Sequence, residues 1–157
     1  TIHLICAGLW AFSTSVAYYF YLVPIMKLWG HRPDDDSVIR FRNWAMERFD
    51  QGATLEHIAF PILLITGPML LFAGGWGPHS HWLVLKLVIV VLLFIPIEVL
   101  DYHYSHLKGS QKHLRLANKP EEYEQAIHQH WLYLFAVTPL ISVFVPLVLV
   151  LAILKPF

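Results

Sequence analysis

Four stretches of the chain are almost continuously apolar, and shorter polar segments separate them. They cover residues about 4–28, 55–76, 82–106 and 128–154, and each reaches the roughly 20 apolar residues that a helix needs to cross a bilayer core. No charged side chain occurs at positions 4–26, 58–78 or 131–154, so three stretches lack the polar face of a helix in a water-soluble bundle. The pattern predicts an all-α fold, with residues 1–157 forming one transmembrane domain, an integral membrane four-helix bundle.

The polar segments between the stretches predict further helical structure. Over residues 37–50, apolar side chains recur at helical spacing with charged side chains between them, and aspartates and a serine at the start supply a cap. We expect an amphipathic helix on the inner membrane face in this first loop. The third loop should turn at residues 108–110. A proline followed by two acids at 120–122 predicts that the fourth helix begins near Pro120.

Composition agrees with a membrane location and excludes other classes of protein. Only 14% of the residues are charged and 57% are hydrophobic, whereas a soluble domain has about 25% charged residues. The single cysteine, Cys6, has no partner for a disulfide within the chain. With 11 basic and 11 acidic residues the net charge is zero, which gives no electrostatic basis for binding nucleic acid. The expected environment is therefore the lipid bilayer.

The distribution of basic residues predicts the orientation in the membrane. The second loop has no Lys or Arg, and the C-terminus has only Lys155. Nine of the 11 basic residues lie in the first and third loops: Lys27, Arg32, Arg40, Arg42, Arg48, Lys108, Lys112, Arg115 and Lys119. By the positive-inside rule these loops face the cytoplasm. We expect a multi-pass protein of a bacterial-type inner (cytoplasmic) membrane, with both termini outside.

Ionisable residues in apolar spans are costly and usually functional, and here they form two groups. The inner group comprises Glu56, His57, Glu98, Asp101, His103, His106, His128 and His130. The outer group comprises His3 and Lys86. At a rise of about 1.5 Å per residue, Lys86 lies roughly 25 Å along the helix from His103, so the groups predict separate sites.

The inner histidines predict a haem or metal site. Two imidazoles on facing helices can clamp a b-type haem. His128 and His130 lie about 200° apart on a helix, so only one can face inward, and His130 is closer to the apolar span. We expect His57 and His130 to be the iron ligands, with His103 as the other candidate. The acids leave iron or copper ions without haem open, and the histidines would otherwise be interfacial.

The outer group predicts a second site. Trp10 follows His3 by seven residues and therefore lies on the same helical face. A buried histidine, the Lys86 ammonium and Trp10 could bind a haem with its propionates or an anionic substrate. Met69 is a candidate second iron ligand, although apolar packing would equally explain a lone methionine. Lys86 could instead extend to the outer headgroups.

Three patches of sequence resemble a known membrane family. His3, with Trp10 seven positions on, is the first. The second comprises residues 46–49 (MERF) and 61–67 (PILLITG), and the third is 82–87 (WLVLKL). In this order they resemble the small four-helix proteins that include the HemJ-type protoporphyrinogen oxidase and the membrane domain of the copper-resistance D proteins. The likeness covers roughly the first two thirds of the chain.

The resemblance implies haem b, His3 as an iron ligand and Lys86 as an essential, catalytic residue. The inner histidines are more numerous than the oxidase branch suggests. The first hypothesis is therefore a haem b redox protein, with one or two haems, that passes electrons alone or as a subunit of a membrane redox complex. A protoporphyrinogen oxidase and a structural subunit without cofactor are the alternatives. A quinone or a haem-pathway compound would be the small-molecule partner.

The basic loops generate a test of orientation. An epitope tag placed after Phe157 should be reached by antibody in intact cells, because the C-terminus is expected outside. A tag at Gly109 should become reachable only after permeabilisation. The opposite labelling pattern would reverse the orientation without changing the number of spans.

Overall fold

The computed structural model describes residues 1–76, 80–107 and 111–155, and these fold into helices without a strand. The helices are α1 (Ile2–His31), α2 (Asp36–Ala73), α3 (residues 81–107), α4 (Gln111–Leu116) and α5 (Pro120–Leu154). Four helical segments are long and apolar enough to cross a membrane: α1, α2, α3 together with α4, and α5. The predicted all-helical fold with four long apolar helices is therefore confirmed.

Helix α2 differs from the prediction at its start. We expected an amphipathic helix over residues 37–50 and a separate span from about 55, but α2 runs without interruption from Asp36 to Ala73. Asp35 caps it by accepting hydrogen bonds from the backbone N–H groups of Ser37 (2.9 Å) and Val38 (3.4 Å). These bonds and one from the Ser37 hydroxyl hold the pKa of Asp35 below its usual range. The amphipathic segment is thus the first third of one 38-residue helix, about 57 Å long.

Helix α5 begins at Pro120, as predicted, and continues for 35 residues through Pro139 and Pro146. The predicted turn at residues 108–110 lies outside the described residues. The starts of α2 and α5 lie at the same end of the molecule, because side chains near the two starts are in contact. We call this the basic end and the opposite one, where residues 1 and 155 lie, the terminal end.

Ion pairs and hydrogen bonds connect the helices at the basic end. Arg42 on α2 is 1% exposed and donates to Glu124 on α5 at 2.5 Å, while its guanidinium lies 4.5 Å from the centre of the Trp29 ring. The second connection is formed by Glu47, which accepts from Arg115 on α4 at 2.7 and 3.0 Å and from the Tyr123 hydroxyl at 3.0 Å. The first third of α2 therefore packs on α4 and α5.

Prolines account for two of the three π-helical turns in the part of the chain that the structure describes. The turns Tyr18–Leu22 and Val90–Phe94 are followed two residues later by Pro24 and Pro96. Proline has no N–H, and its ring clashes with the carbonyl four residues back. At each turn a backbone N–H donates to the carbonyl five residues back instead of four. The wider turn leaves space for the proline ring. The third turn, His103–Leu107, contains no proline.

The buried arginine generates a stability prediction. Arg42→Met should lower the free energy of unfolding by about 1–3 kcal/mol, because it removes hydrogen bonds to Asn43 and Glu124 and the contact with Trp29. Arg40→Met is the matched control, since Arg40 is exposed on the same helix. Thermal unfolding of the purified protein in detergent measures both. Equal midpoints for the two variants would contradict the structural role of Arg42.

Candidate functional site

Seven ionisable side chains gather inside the half of the molecule nearer the basic end. We call them the acid–histidine cluster: Asp50, Glu56 and His57 on α2, Glu98, Asp101 and His106 on α3, and His130 on α5. Asp50, Glu56, Glu98, Asp101 and His130 are all buried. Charged groups are strongly disfavoured in such surroundings unless they are paired or share protons. The cluster is therefore the most polar part of an otherwise apolar interior.

Asp101 is the centre of this cluster. One carboxylate oxygen lies 3.1 Å from Nε2 of His57, and the other lies 3.5 Å from Nε2 of His130. The first distance is that of a hydrogen bond, whereas the second is that of a looser ion-pair contact. A single carboxylate on α3 thereby connects an imidazole on α2 with an imidazole on α5.

Both histidines also have partners at Nδ1. Nδ1 of His57 lies 3.0 Å from Nε2 of His106. Nδ1 of His130 lies 3.1 Å from the Gln111 amide nitrogen and 3.2 Å from Asp50 Oδ1. His130 thus has an acidic side chain facing each ring nitrogen, while the Gln111 amide nitrogen, which can only donate, is directed at the lone pair of Nδ1.

Two further acids lie next to this centre. The Trp10 indole N–H donates to Glu98 at 2.5 Å, and the Ser13 hydroxyl donates to Glu56 at 3.3 Å. The Glu56 and Glu98 carboxyl groups are close enough to interact, and both are buried. Two neighbouring carboxylates are strongly disfavoured in their ionised forms in such surroundings. The pair therefore favours a state in which at least one of the two groups carries a proton.

The remaining predicted inner residues lie on the helix surfaces. His130 is fully buried and His128 is exposed, as the 200° spacing predicts. His103 is also exposed and stacks edge-on against Tyr104. His106 was expected at the interface, but it is half-buried and bonds to His57. Three further histidines, His31, His81 and His113, are exposed.

A second, smaller site lies near the terminal end around His3. Nδ1 of His3 is 2.8 Å from the Thr66 hydroxyl oxygen, and that hydroxyl donates to the Ile62 carbonyl at 2.7 Å. Because the hydroxyl proton is already used, His3 must donate from Nδ1, which leaves the lone pair on Nε2. The ring packs beside Gly67 on α2. Lys86 on α3 is close enough for its charge to act on His3.

Two residues predicted for this outer site lie elsewhere. Trp10 follows His3 by about 10 Å along α1, and its indole is committed to Glu98 and packs on Phe60 and Phe94. It therefore belongs with the acid–histidine cluster. Met69 is 63% exposed on the surface of α2, one turn beyond Thr66.

The two sites differ in how well they fit a haem. At the predicted inner site, His57 and His130 direct their Nε2 atoms at the same Asp101 carboxylate, so the acid stands where the iron would have to be. That arrangement does not fit a haem clamped by these two residues. The His3 site does fit an iron ligand, because the Thr66 contact orients the ring and leaves Nε2 for a metal.

The sequence also left open a site for iron or copper ions without haem, in which acids of the cluster would be ligands. Among the described residues, no group of three or more His, Cys, Asp or Glu side chains is arranged to hold a metal ion. Within the cluster the nitrogens and oxygens instead face one another at 3.0–3.5 Å. The geometry is that of a hydrogen-bonded network.

Asp50 and Gln111 are the members of this site that sequence reasoning missed. Asp50 was placed at the end of a separate amphipathic helix. In a continuous helix it lies two turns before His57 and therefore on the same face, which is the signal that could have identified it. Gln111 belongs to α4, and nothing in the sequence indicates that it meets His130 19 residues later.

No family model, curated protein or solved structure matches the chain.

The cluster generates a stability prediction. His130→Ala should lower the free energy of unfolding by about 3–5 kcal/mol, because it leaves the buried acids Asp50 and Asp101 without their shared partner. His128→Ala, two residues away and exposed, should change it by less than about 0.5 kcal/mol. Thermal unfolding in detergent compares the two. A small, equal effect of both would show that the contacts to His130 do not stabilise the fold.

Proposed function

We propose that the chain is an integral membrane redox protein that binds one haem b, with His3 as an iron ligand. The observation that supports the proposal most is the hydrogen bond from His3 to Thr66. Metal-binding histidines generally donate their other ring N–H to an oxygen, which fixes the tautomer and the ring orientation. Of the histidines named as ligands from the sequence, His57 and His130 instead have their ring nitrogens turned to other cluster members.

The residues around His3 have distinct roles in this proposal. Nε2 of His3 would bind the iron, and Thr66 would hold the ring in place. The Lys86 ammonium would neutralise a propionate, because it is a good hydrogen-bond donor and cannot ligate iron while protonated. Met69 would be the candidate second iron ligand. A bound haem would supply a one-electron carrier.

We also propose that the protein is inserted in a membrane. Four helical segments meet the length and apolarity of membrane spans, and the basic residues favour a cytoplasmic basic end. We infer a four-helix bundle in a bacterial-type inner membrane, with the His3 site near the outer face. Electrons would pass to other subunits of a membrane redox complex or to a quinone.

A HemJ-type protoporphyrinogen oxidase is the second candidate. The observation that favours it is that His3 and Lys86 are close enough to interact, as the family resemblance implies for its functional pair. In that case Lys86 would attract the carboxylates of an anionic porphyrin substrate. Oxidation of protoporphyrinogen by the purified protein, coupled to an added electron acceptor, distinguishes the enzyme from the electron carrier.

The haem proposal is tested by haem content. Wild-type protein should contain about one haem b per chain, by reduced-minus-oxidised spectroscopy and pigment extraction. His3→Ala should lose most of it, because the iron loses its protein ligand. Lys86→Met should lose less pigment than His3→Ala, because it removes a partner of the propionate and not the iron ligand. His81→Ala is the matched control, since His81 is exposed on a described helix near the same end.

Other outcomes would overturn the proposal in recognisable ways. Two haems per chain, one lost in His57→Ala, would restore the inner clamp predicted from the sequence. Full pigment in His3→Ala would remove His3 from the site. Wild-type protein without pigment would favour a structural subunit.

A further inference from the structure

A polar cavity opens beside the acid–histidine cluster at the basic end. Its volume is about 220 Å³, well above the roughly 10–15 Å³ that one water requires. It is lined by Glu47, Asp50, Gln51, Thr54, Ser105, His106 and Lys112. Acids, hydroxyls and an imidazole therefore surround a space large enough for several waters.

Two of the lining residues are buried polar groups with unused hydrogen-bonding capacity. Asp50 is 6% exposed and Ser105 is 0% exposed. Among the described protein groups, the Ser105 hydroxyl has no hydrogen-bond partner, and the Asp50 oxygens have only the ion-pair contact with His130. Such groups are costly to bury unless water reaches them. The cavity is thus suited to bring water to Asp50.

From this cavity, two routes of acidic and basic groups converge on Asp101. The first passes from Asp50 to His130 (3.2 Å) and on to Asp101 (3.5 Å). The second passes from His106 to His57 (3.0 Å) and on to Asp101 (3.1 Å). Each imidazole can accept a proton at one nitrogen and release one from the other, which leaves it in the other tautomer until a proton returns along the same route. The 3.5 Å step requires a slight approach of the two groups or a bridging water.

Beyond Asp101 lies the buried pair of acids Glu56 and Glu98, in which burial and like charge favour a proton on at least one carboxyl group. Glu98 precedes Asp101 by three residues on α3, and Glu56 precedes His57 on α2. Both are therefore close to the convergence point and deeper in the molecule. The groups that face the pair are Trp10 and Ser13 on α1, His57 on α2, Asp101 on α3 and Tyr133 on α5.

The path ends at this pair. On its far side Trp10 packs against Phe60 and Phe94, within an apolar cluster that includes Cys6, Ala59, Leu83 and Val145. Apart from the weakly acidic Cys6 thiol, these side chains have no ionisable group. Among the described residues, the contacts between the acids and histidines therefore extend from the basic end to the middle of the helices.

We propose that the acid–histidine cluster is a proton path, which conducts protons from water at the basic end through Asp101 to a proton store formed by Glu56 and Glu98. The transported species is the proton, supplied by water in the cavity and returned to the same phase. The proposal does not depend on haem. It stands on the cavity, the two orphaned polar groups and the converging contacts.

The test is hydrogen–deuterium exchange of the buried carboxyl group, followed by infrared spectroscopy on the full chain in lipid after a change to D₂O. Wild-type protein should show a protonated carboxyl band that Glu56→Gln or Glu98→Gln removes or shifts. Its exchange should be much faster than that of the backbone amides in the same spectra. Exchange no faster than these amides would indicate helix opening instead of a path, and a missing band would exclude the store.

Because both routes meet at Asp101, the variants should differ in how strongly they slow the carboxyl exchange. Asp101→Asn should slow carboxyl exchange at least tenfold. Asp50→Asn and His106→Gln should each slow it less, because the other route remains, and the double variant should match Asp101→Asn. Glu121→Gln is the matched control, an exposed acid at the same end.

A second kind of variant leaves all the acids and histidines of the path in place, so that slower exchange cannot be attributed to misfolding after the loss of a buried acid. Ser105→Val fills part of the cavity and should also slow the exchange severalfold. The proposal is overturned if Asp101→Asn and Ser105→Val both exchange at the rate of Glu121→Gln. Because His3 is not part of the path, His3→Ala should exchange at the wild-type rate even when pigment is lost.

Discussion

The contact of one carboxylate with two imidazoles constrains much of this structure. Asp101 comes from an apolar helix and cannot stay charged in such surroundings without compensation, and His57 and His130 provide it from α2 and α5. Apolar side chains that face lipid can slide past one another at little cost, because no water is excluded by a particular match. A buried acid with two fixed partners does not permit such sliding. We therefore infer that Asp101 sets the register of three helices, a role attested for single buried polar groups in coiled coils.

The kind of side chain in the interior changes in order from the basic end to the terminal end. At the basic end, Arg42 and Glu47 on α2 make half-exposed ion pairs with Glu124 on α5 and Arg115 on α4. The acid–histidine cluster follows, then the apolar layer around Trp10, Phe60 and Phe94. The site of His3 and Thr66 lies beyond that layer. This order places the acid–histidine cluster beside the cavity at the basic end, with a predominantly apolar layer between the cluster and His3.

The sequence predicts this architecture well where periodicity and length decide it. The apolar stretches, the start of α5 at Pro120 and the inward position of His130 all follow from local rules of spacing and capping. The continuity of α2 does not, because residues 50–55 show a change from amphipathic to apolar character that resembles a helix boundary. Tertiary contacts of Glu47 and Asp50 with α4 and α5 stabilise the helix through that change. The pairing of His130 with Asp50 and Gln111 joins residues that are distant in sequence, and no local pattern indicates it.

The separation of the two proposed sites determines what they could do together. Trp10, which bonds to Glu98, lies about 10 Å along α1 from His3. Between unit charges at that distance the interaction is about 1.6 kcal/mol at an effective dielectric constant of about 20. An electron added at His3 would then favour a proton at Glu56 and Glu98 roughly tenfold, and a proton there would favour reduction equally, because linkage is reciprocal. The apolar layer would allow this electrostatic coupling while it prevents proton leakage. A short proton path that ends in the middle of the helices is therefore compatible with a redox group near the opposite face.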